Sequence, residues 1–579
     1  MRTAAIVLTA SLVLTASPSA RQSAFRTLDD KFSPPRFTDA AEWKRRATYL
    51  REHILASAGL VPLPDRTPLA PEIFGKVTKN DYTVEKVYFQ SLPGFLVTGN
   101  LYRPLGTGPF PAVLAPHGHW AYGRLENTTL NSVPGRAITL ARQGFVVFTY
   151  DMIGYDDSRQ LPHTFGGKRE TLWGMSLAGL QVWNSIRSLD FLQSLPDVQK
   201  DALAVTGESG GGTQTFLLAA VDDRVKVAVP VNMISLHMQG GCLCENAPTL
   251  RLDTNNVEIA ATIAPRPLLM VSATGDWTAN TLEAEYPAVR ALYSLLDAPD
   301  SVSAVRFKAE HNYNKESREA MYAWLARWMK GAAPEVEVRE RSFTAESPAD
   351  LLVFHQRALP PEALSARQLT ENWIAAARQQ LTTTDLATRA RALRHSLGFG
   401  DAAAPVPSKR QSIRTVLTAG TDAAIDRQLQ AKGFKVQPIT FTPFDAAAAA
   451  KIRHFETYNR TAAAQRAADI VAALRASPSA ALVASGDSAL AAILASAVVV
   501  PPLAILDVGD FDTSDDAAYV DRLYVPGLRR AGDLATAAEV GGEALVIHGA
   551  GEKFVLGSSA RVARDKMNAD AIVKRLRGR

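Results

Sequence analysis

Cysteine is almost absent: 2 residues in 579, Cys242 and Cys244, both within GGCLCENAP. That excludes a disulfide-stapled scaffold and leaves stability to packed cores. Long apolar runs are missing as well. The run from Ala4 to Ala16 falls short of the ~20 residues a spanning helix needs, and no later stretch is both long and uncharged, so no membrane span is expected. Charge of one sign is also lacking. Lys and Arg number 63 against 58 Asp and Glu, scattered rather than clustered, for a net charge of +5, which excludes the basic face that nucleic-acid binding requires. With neither low-complexity tracts nor long charge blocks, and with 47% apolar against 21% charged residues, the chain reads as globular throughout. Its length calls for more than one core.

The opening MRTAAIVLTASLVLTASPSARQSA has Arg2, an apolar run, then small residues suited to cleavage between Ser17 and Ala24. This is the pattern of a signal peptide over residues 1–24, and it predicts a secreted or periplasmic protein. No cysteine follows the run, so lipid attachment is not indicated.

The second half echoes the first in the same order. RAITLARQGFVVFTYDMIGYD near Arg136 is matched by IDRQLQAKGFKVQPITFTPFD near Ile425, LAVTGESGGGTQTFLLAA by LVASGDSALAAILASA, and the strand ending at Gly275 by one ending at Gly551. A boundary near Ala333, after the helix SREAMYAWLARWMK, divides the chain into units 25–333 and 334–579. Both alternate short apolar strands with helices, which predicts two doubly wound, mostly parallel α/β sheets.

In the first unit, ALAVTGESGGGTQTFLLAAV puts G-x-S-x-G between an apolar strand and a small-residue helix. Glycines at both flanks suit a strained strand-to-helix turn that exposes the hydroxyl, so Ser209 is the candidate nucleophile. A hydroxyl needs a base, oriented by a carboxylate. His311 is the only histidine between Asp276 and the boundary, and the strand PRPLLMVSATGDW delivers Asp276 just past its C-terminal end, giving the chain order Ser, acid, His. Asp253, Glu283 and Glu285 compete with Asp276 for the acid's place.

The tetrahedral oxygen requires backbone donors. Gly210, at the start of the helix, supplies one, and His119 or Trp120, in PFPAVLAPHGHWAYG, the other. Trp120 and Trp277 adjoin the catalytic loops, where they would stack on a sugar ring, line an acyl pocket or simply pack the core. His117 and His119 lack a third metal ligand at suitable spacing, and Cys242 and Cys244, with His237 and Glu245 nearby, match no standard zinc pattern. A strained local disulfide or two buried thiols shaping a loop are the readings left for the cysteines, and no cofactor is expected.

From about Thr83 to Lys330 the first unit resembles the α/β-hydrolases related to acetyl xylan esterases and dienelactone hydrolases, and more distantly the catalytic domains of prolyl oligopeptidases. APHGHW, YDMIGYDDS, GESGG, IAPRPLLMVSATGD and EHNY carry the resemblance. It implies a cofactor-free acyl-enzyme mechanism on esters, often of acetylated or uronate-esterified plant polysaccharide. The loop GGCLCENAPTLR departs from the pattern. A peptidase of the prolyl-oligopeptidase type carries a propeller in front, for which the stretch before the first sheet segment leaves no room, so an esterase is favoured.

The second unit has lost the chemistry. Laying GDSAL on GESGG sets Ser488 opposite Ser209, with Leu490 in place of Gly211. Glu552 falls opposite Asp276, no histidine follows it, and VLTAGTD stands where VLAPHGH stood. The expectation is a serine carboxylesterase with a catalytically silent repeat. The rival readings are a polysaccharide-binding protein with vestigial hydrolysis, and a peptidase.

Overall fold

Strands with unbroken apolar runs, such as Phe110–Leu114 and Val146–Tyr150, can lie only where both sheet faces are covered, and in the computed structural model they lie at the centre of a nine-stranded sheet. The structure describes residues 25–403, 412–557 and 561–578. The signal peptide expected over 1–24 lies outside the described residues.

The first sheet comprises β1 (Glu72–Thr78), β2 (Tyr82–Leu92), β3 (Phe95–Pro104), β4 (Phe110–Leu114), β5 (Val146–Tyr150), β6 (Val198–Glu208), β7 (Val225–Val231), β8 (Leu268–Gly275) and β9 (Val302–Glu310), in the order β1-β2-β3-β5-β4-β6-β7-β8-β9. β1 to β3 form an antiparallel meander that joins β5 antiparallel, and the rest run parallel. Side chains alternate between two cores: Ala112, Leu114, Phe148 and Val205 face one, and Val113, Val147 and Ala204 the other. Helices therefore cover both faces, as the sequence predicted.

The second sheet comprises β10 (Thr415–Ala419), β11 (Lys435–Pro438), β12 (Ala481–Ser485), β13 (Ala504–Asp507), β14 (Leu545–His548) and β15 (Arg561–Val562), parallel throughout in the order β11-β10-β12-β13-β14-β15. This is the order of β5-β4-β6-β7-β8-β9, strand for strand. Here too two cores flank the sheet, with Leu482 and Leu506 on one side and Val483 and Ile505 on the other.

The helix Lys315–Lys330 ends at Gly331, whose φ of 69° closes its C-terminus. Beyond it the chain stays on the first unit. Leu351 joins a core under the first sheet, Val353 and Phe354 pack on Tyr88 and Leu96, and the helix Ala366–Thr383 inserts Leu369, Trp373 and Ile374 into the main core. The units also meet directly. The N–H groups of Thr249 and Arg251 donate to the carbonyls of Glu456 (2.7 Å) and Thr457 (2.9 Å), and buried His53 and His395 pair through Nδ1 at 3.1 Å.

Candidate active site

Ser209 joins β6 to the helix Gly210–Val221 with φ 55° and ψ −122°, a left-handed conformation that costs a non-glycine residue energy and persists only where its surroundings enforce it. They do so by close packing. A Cβ on Gly211 would lie 2.6 Å from the Pro116 carbonyl oxygen. Gly210 occupies the first helical position, where the backbone N–H has no partner within the helix.

Glu208, the variable residue of the G-x-S-x-G motif, is fully buried and organises the segment that faces Ser209. Its Oε1 accepts from the Gly118 N–H (2.9 Å), Trp120 Nε1 (2.8 Å) and Asn131 Nδ2 (3.0 Å), and its Oε2 from Arg136 Nη1 (2.7 Å). Burial pushes this carboxyl up, but the Arg136 guanidinium and the Gly118 bond outweigh it and hold the group below the ordinary range. Buried His117 donates from Nδ1 to the Gly118 carbonyl (2.7 Å) and accepts the Met152 N–H at Nε2 (3.0 Å). Burial pushes its pKa down to about 3, so it is a neutral tie between two loops. The backbone N–H groups of His119 and Trp120 have no acceptor among the described residues.

β8 delivers Asp276 and β9 delivers His311, whose Nδ1–H donates to Asp276 Oδ1 at 3.2 Å. The other oxygen of Asp276 accepts from Thr278 Oγ1 (2.6 Å). Competing carboxylates are engaged elsewhere: Asp253 with Arg46, Glu283 with Arg306, and Glu285 with the Leu236 N–H. The imidazole of His311 stacks between Trp277, at 4.5 Å and 29°, and Trp120, at 6.3 Å and 23°. Both tryptophans therefore spend a face on the histidine. The Trp120 indole N–H is also committed to Glu208, whereas that of Trp277 is buried without a partner. Ser209 Oγ makes no hydrogen bond to His311.

Among the described residues the second unit shows no counterpart to this arrangement. β12 leads into the helix Asp487–Ala495 through Gly486, with φ 60° and ψ −135°, so Gly486 stands in the strained position that Ser209 holds. This corrects the alignment of Ser488 with Ser209. The turn takes the residue for which left-handed backbone costs least, and Ser488 falls inside the helix, its Oγ beneath Gly420.

Sequence spacing gave the cysteines the wrong partners. His119, His163, Cys242 and Cys244 bring one ligand atom each to within 4.8 Å of one another. Spacing had set the cysteines beside His237 and Glu245, but Glu245 Oε2 accepts the Gly241 and Cys242 N–H groups (2.8 and 2.9 Å). His117, Asp151 and Asp156 also converge, but buried Arg124 already serves that group, its guanidinium Nε 2.7 Å from Asp151 Oδ1 and its backbone N–H donating to Asp156 Oδ2 at 3.0 Å.

No protein-family model matches the chain. Among curated proteins it is 27% identical over 289 residues to "Putative hydrolase YtaP" of Bacillus subtilis (strain 168), covering 46% of this chain and 95% of that one. Among solved structures it is similar to the methylesterase BT1017, with 30% identity and a TM-score of 0.52 over 60% of this chain and 78% of that one. A carbohydrate esterase family 15 glucuronoyl esterase from Caldicellulosiruptor kristjansonii matches at 16% identity and a TM-score of 0.36, over 57% of this chain and 97% of that one.

Proposed function

The chain belongs to the α/β-hydrolase superfamily, and on that premise we propose that it is an exported serine carboxylesterase acting through an acyl-enzyme on acetylated or uronate-esterified carbohydrate. The observation that carries this reading is Ser209 held in a strained turn, facing free backbone N–H groups, with the His311–Asp276 pair on the neighbouring strand ends.

Ser209 Oγ attacks the ester carbonyl carbon while His311 Nε2 takes its proton, and Asp276 holds the Nδ1–H and stabilises the imidazolium. The N–H of Gly210, with that of His119 or Trp120, receives the tetrahedral oxygen. The alcohol leaves with the proton from His311, and water then cleaves the acyl-enzyme by the same path. Hydrogen bonds of this kind are commonly long before substrate arrives and tighten in the complex, which accounts for the unmade Ser209–His311 bond.

The methylesterase and hydrolase relatives support ester chemistry. A cleft of about 780 Å³ between the units is lined by Phe165 and Leu243 from the first and Phe444, Arg466 and Tyr524 from the second, and Ser209, Asp276 and His311 are not among its lining residues. The test is hydrolysis of nitrophenyl esters, acetylated xylan, a uronate methyl ester and short peptide amides by the purified protein and its Ser209→Ala variant. Ser209-dependent ester turnover with a loss on the order of 10⁴- to 10⁶-fold is expected. Unchanged turnover in the variant, or amide cleavage outpacing ester cleavage, refutes the reading.

A further inference from the structure

We propose that His119, His163, Cys242 and Cys244 form a Cys₂His₂ site for a zinc ion beside the oxyanion segment. Two thiols and two imidazoles are the donor set of a closed tetrahedral zinc site, which holds the metal by protein ligands alone and is structural rather than catalytic. The four candidate ligand atoms already lie within 4.8 Å of one another, on three separate loops.

The histidines are set up for it. His163 donates its Nδ1–H to the Ile153 carbonyl at 2.6 Å, which fixes the tautomer and leaves the Nε2 lone pair free. That Nε2 is buried with no hydrogen-bond partner, an arrangement that costs free energy unless something else satisfies it. His119 Nε2 lies 3.1 Å from Cys244 Sγ. Zinc bonds of about 2.1 Å to nitrogen and 2.3 Å to sulfur put tetrahedral ligands about 3.4 to 3.8 Å apart, so the cluster needs to open at that edge by only a few tenths of an ångström.

The cysteines are both free thiols. They flank Leu243 on a turn held by Glu245 through the Gly241 and Cys242 N–H groups and, from the second unit, by Arg453, which donates to the Gly241 carbonyl. With both thiols ionised, a bound Zn²⁺ leaves the site neutral, as a buried site requires. The ion would fasten the oxyanion segment, through His119, to the loop that follows β5 and to the cysteine loop. The His119 ring already lies against Gly210, where a Cβ would meet its Cε1 at 2.6 Å.

Metal analysis tests this independently of the esterase reading. The full chain, purified without a metal-binding tag and kept reduced, is expected to carry one zinc. The ion should be lost in Cys244→Ser and held more weakly in His163→Ala, whose half-buried ring makes it the safer variant for folding. Cobalt exchanged into the wild type is expected to give thiolate charge-transfer and tetrahedral d–d absorption, and His163→Ala to weaken both. A reduced wild type that takes up neither zinc nor cobalt, a Cys242–Cys244 disulfide in the unreduced peptide map, or zinc bound equally by all three proteins would overturn the proposal.

Discussion

Replacing Glu208 by Gln keeps the shape of the side chain and removes its charge, and four donors register the change. Gln can still accept at one oxygen from Gly118, Trp120 and Asn131, but its amide N–H₂ then faces Arg136 Nη1, donor against donor. Both Glu208 and Arg136 side chains are at 0% exposure, so the variant leaves a guanidinium buried without its counter-charge, a change that costs about 3–5 kcal/mol. Rotating the amide to satisfy Arg136 instead releases Gly118 and Trp120, which belong to the segment carrying the proposed oxyanion donors. Displacing one such donor lowers kcat by about 10²- to 10³-fold. The expected outcome is therefore a large loss in unfolding free energy by chemical denaturation together with a kcat loss of about 10²-fold on a small nitrophenyl ester, with KM little changed. The pH dependence has a definite sign. The folded carboxyl lies below its unfolded value of about 4.3, so its contribution is complete above that pH and is lost as pH falls through the folded value, and the gap between wild type and variant narrows below about pH 4. A Glu208→Gln protein as stable and as active as wild type at pH 7 would refute the assignment of Glu208 as the organiser of the oxyanion segment.

A methyl group on Gly118 would lie 2.9 Å from the Glu208 carbonyl oxygen and 3.0 Å from Ser209 Cβ, so Gly118→Ala is expected to lower stability by about 1–3 kcal/mol and kcat by at least about 10-fold. Circular dichroism and initial rates measure the two effects, and wild-type rates would count against the close approach. Burial, reinforced by His395, pushes His53 down to about 4 from an ordinary value near 6.5, so the folded state favours the neutral ring. The stability it contributes is full above about pH 6.5 and declines toward pH 4, by about 3 kcal/mol, and His53→Gln is expected to flatten that slope in denaturation midpoints.

The candidate site could be assembled from the sequence because its parts carry local signals. Glycines around Ser209 mark a turn that few other residues tolerate, and a strand end marks Asp276, so chain order alone pointed to His311, which the fold sets 3.2 Å from that carboxylate. Glu208 was illegible because the motif admits any residue at its position. Only the three-dimensional convergence of Gly118, Trp120, Asn131 and Arg136 gives it a role. The cysteine cluster was illegible for a related reason. Spacing picks out Cys242 and Cys244 together, but His119 and His163 come from two other loops, and no spacing rule links ligands that only the fold brings together. The alignment of Ser488 with Ser209 failed because sequence similarity followed the Gly-acid-Ser letters, whereas the turn follows φ, which Gly486 satisfies.

The second unit is integral to the first through its connecting segments. Its sheet repeats the order β5-β4-β6-β7-β8-β9 of the first, and its connecting segments serve as supports. The stretch from Arg453 to Tyr458 grips the loop that bears the cysteines. Thr457 Oγ1 donates to the Asn246 carbonyl (3.1 Å), the Tyr458 hydroxyl donates to Asn246 Oδ1 (2.9 Å), and the Glu456 and Thr457 carbonyls accept the Thr249 and Arg251 N–H groups. Arg251 is itself buried, and its Nη1 donates to the Glu245 carbonyl at 2.9 Å, which carries the grip to the residue that holds the Cys242 N–H. Long loops without regular structure rarely hold their shape alone, and positioned loops are where binding and catalytic groups concentrate. The second unit thus contributes by fixing a loop of its neighbour, a task that backbone bonds and buried side chains perform.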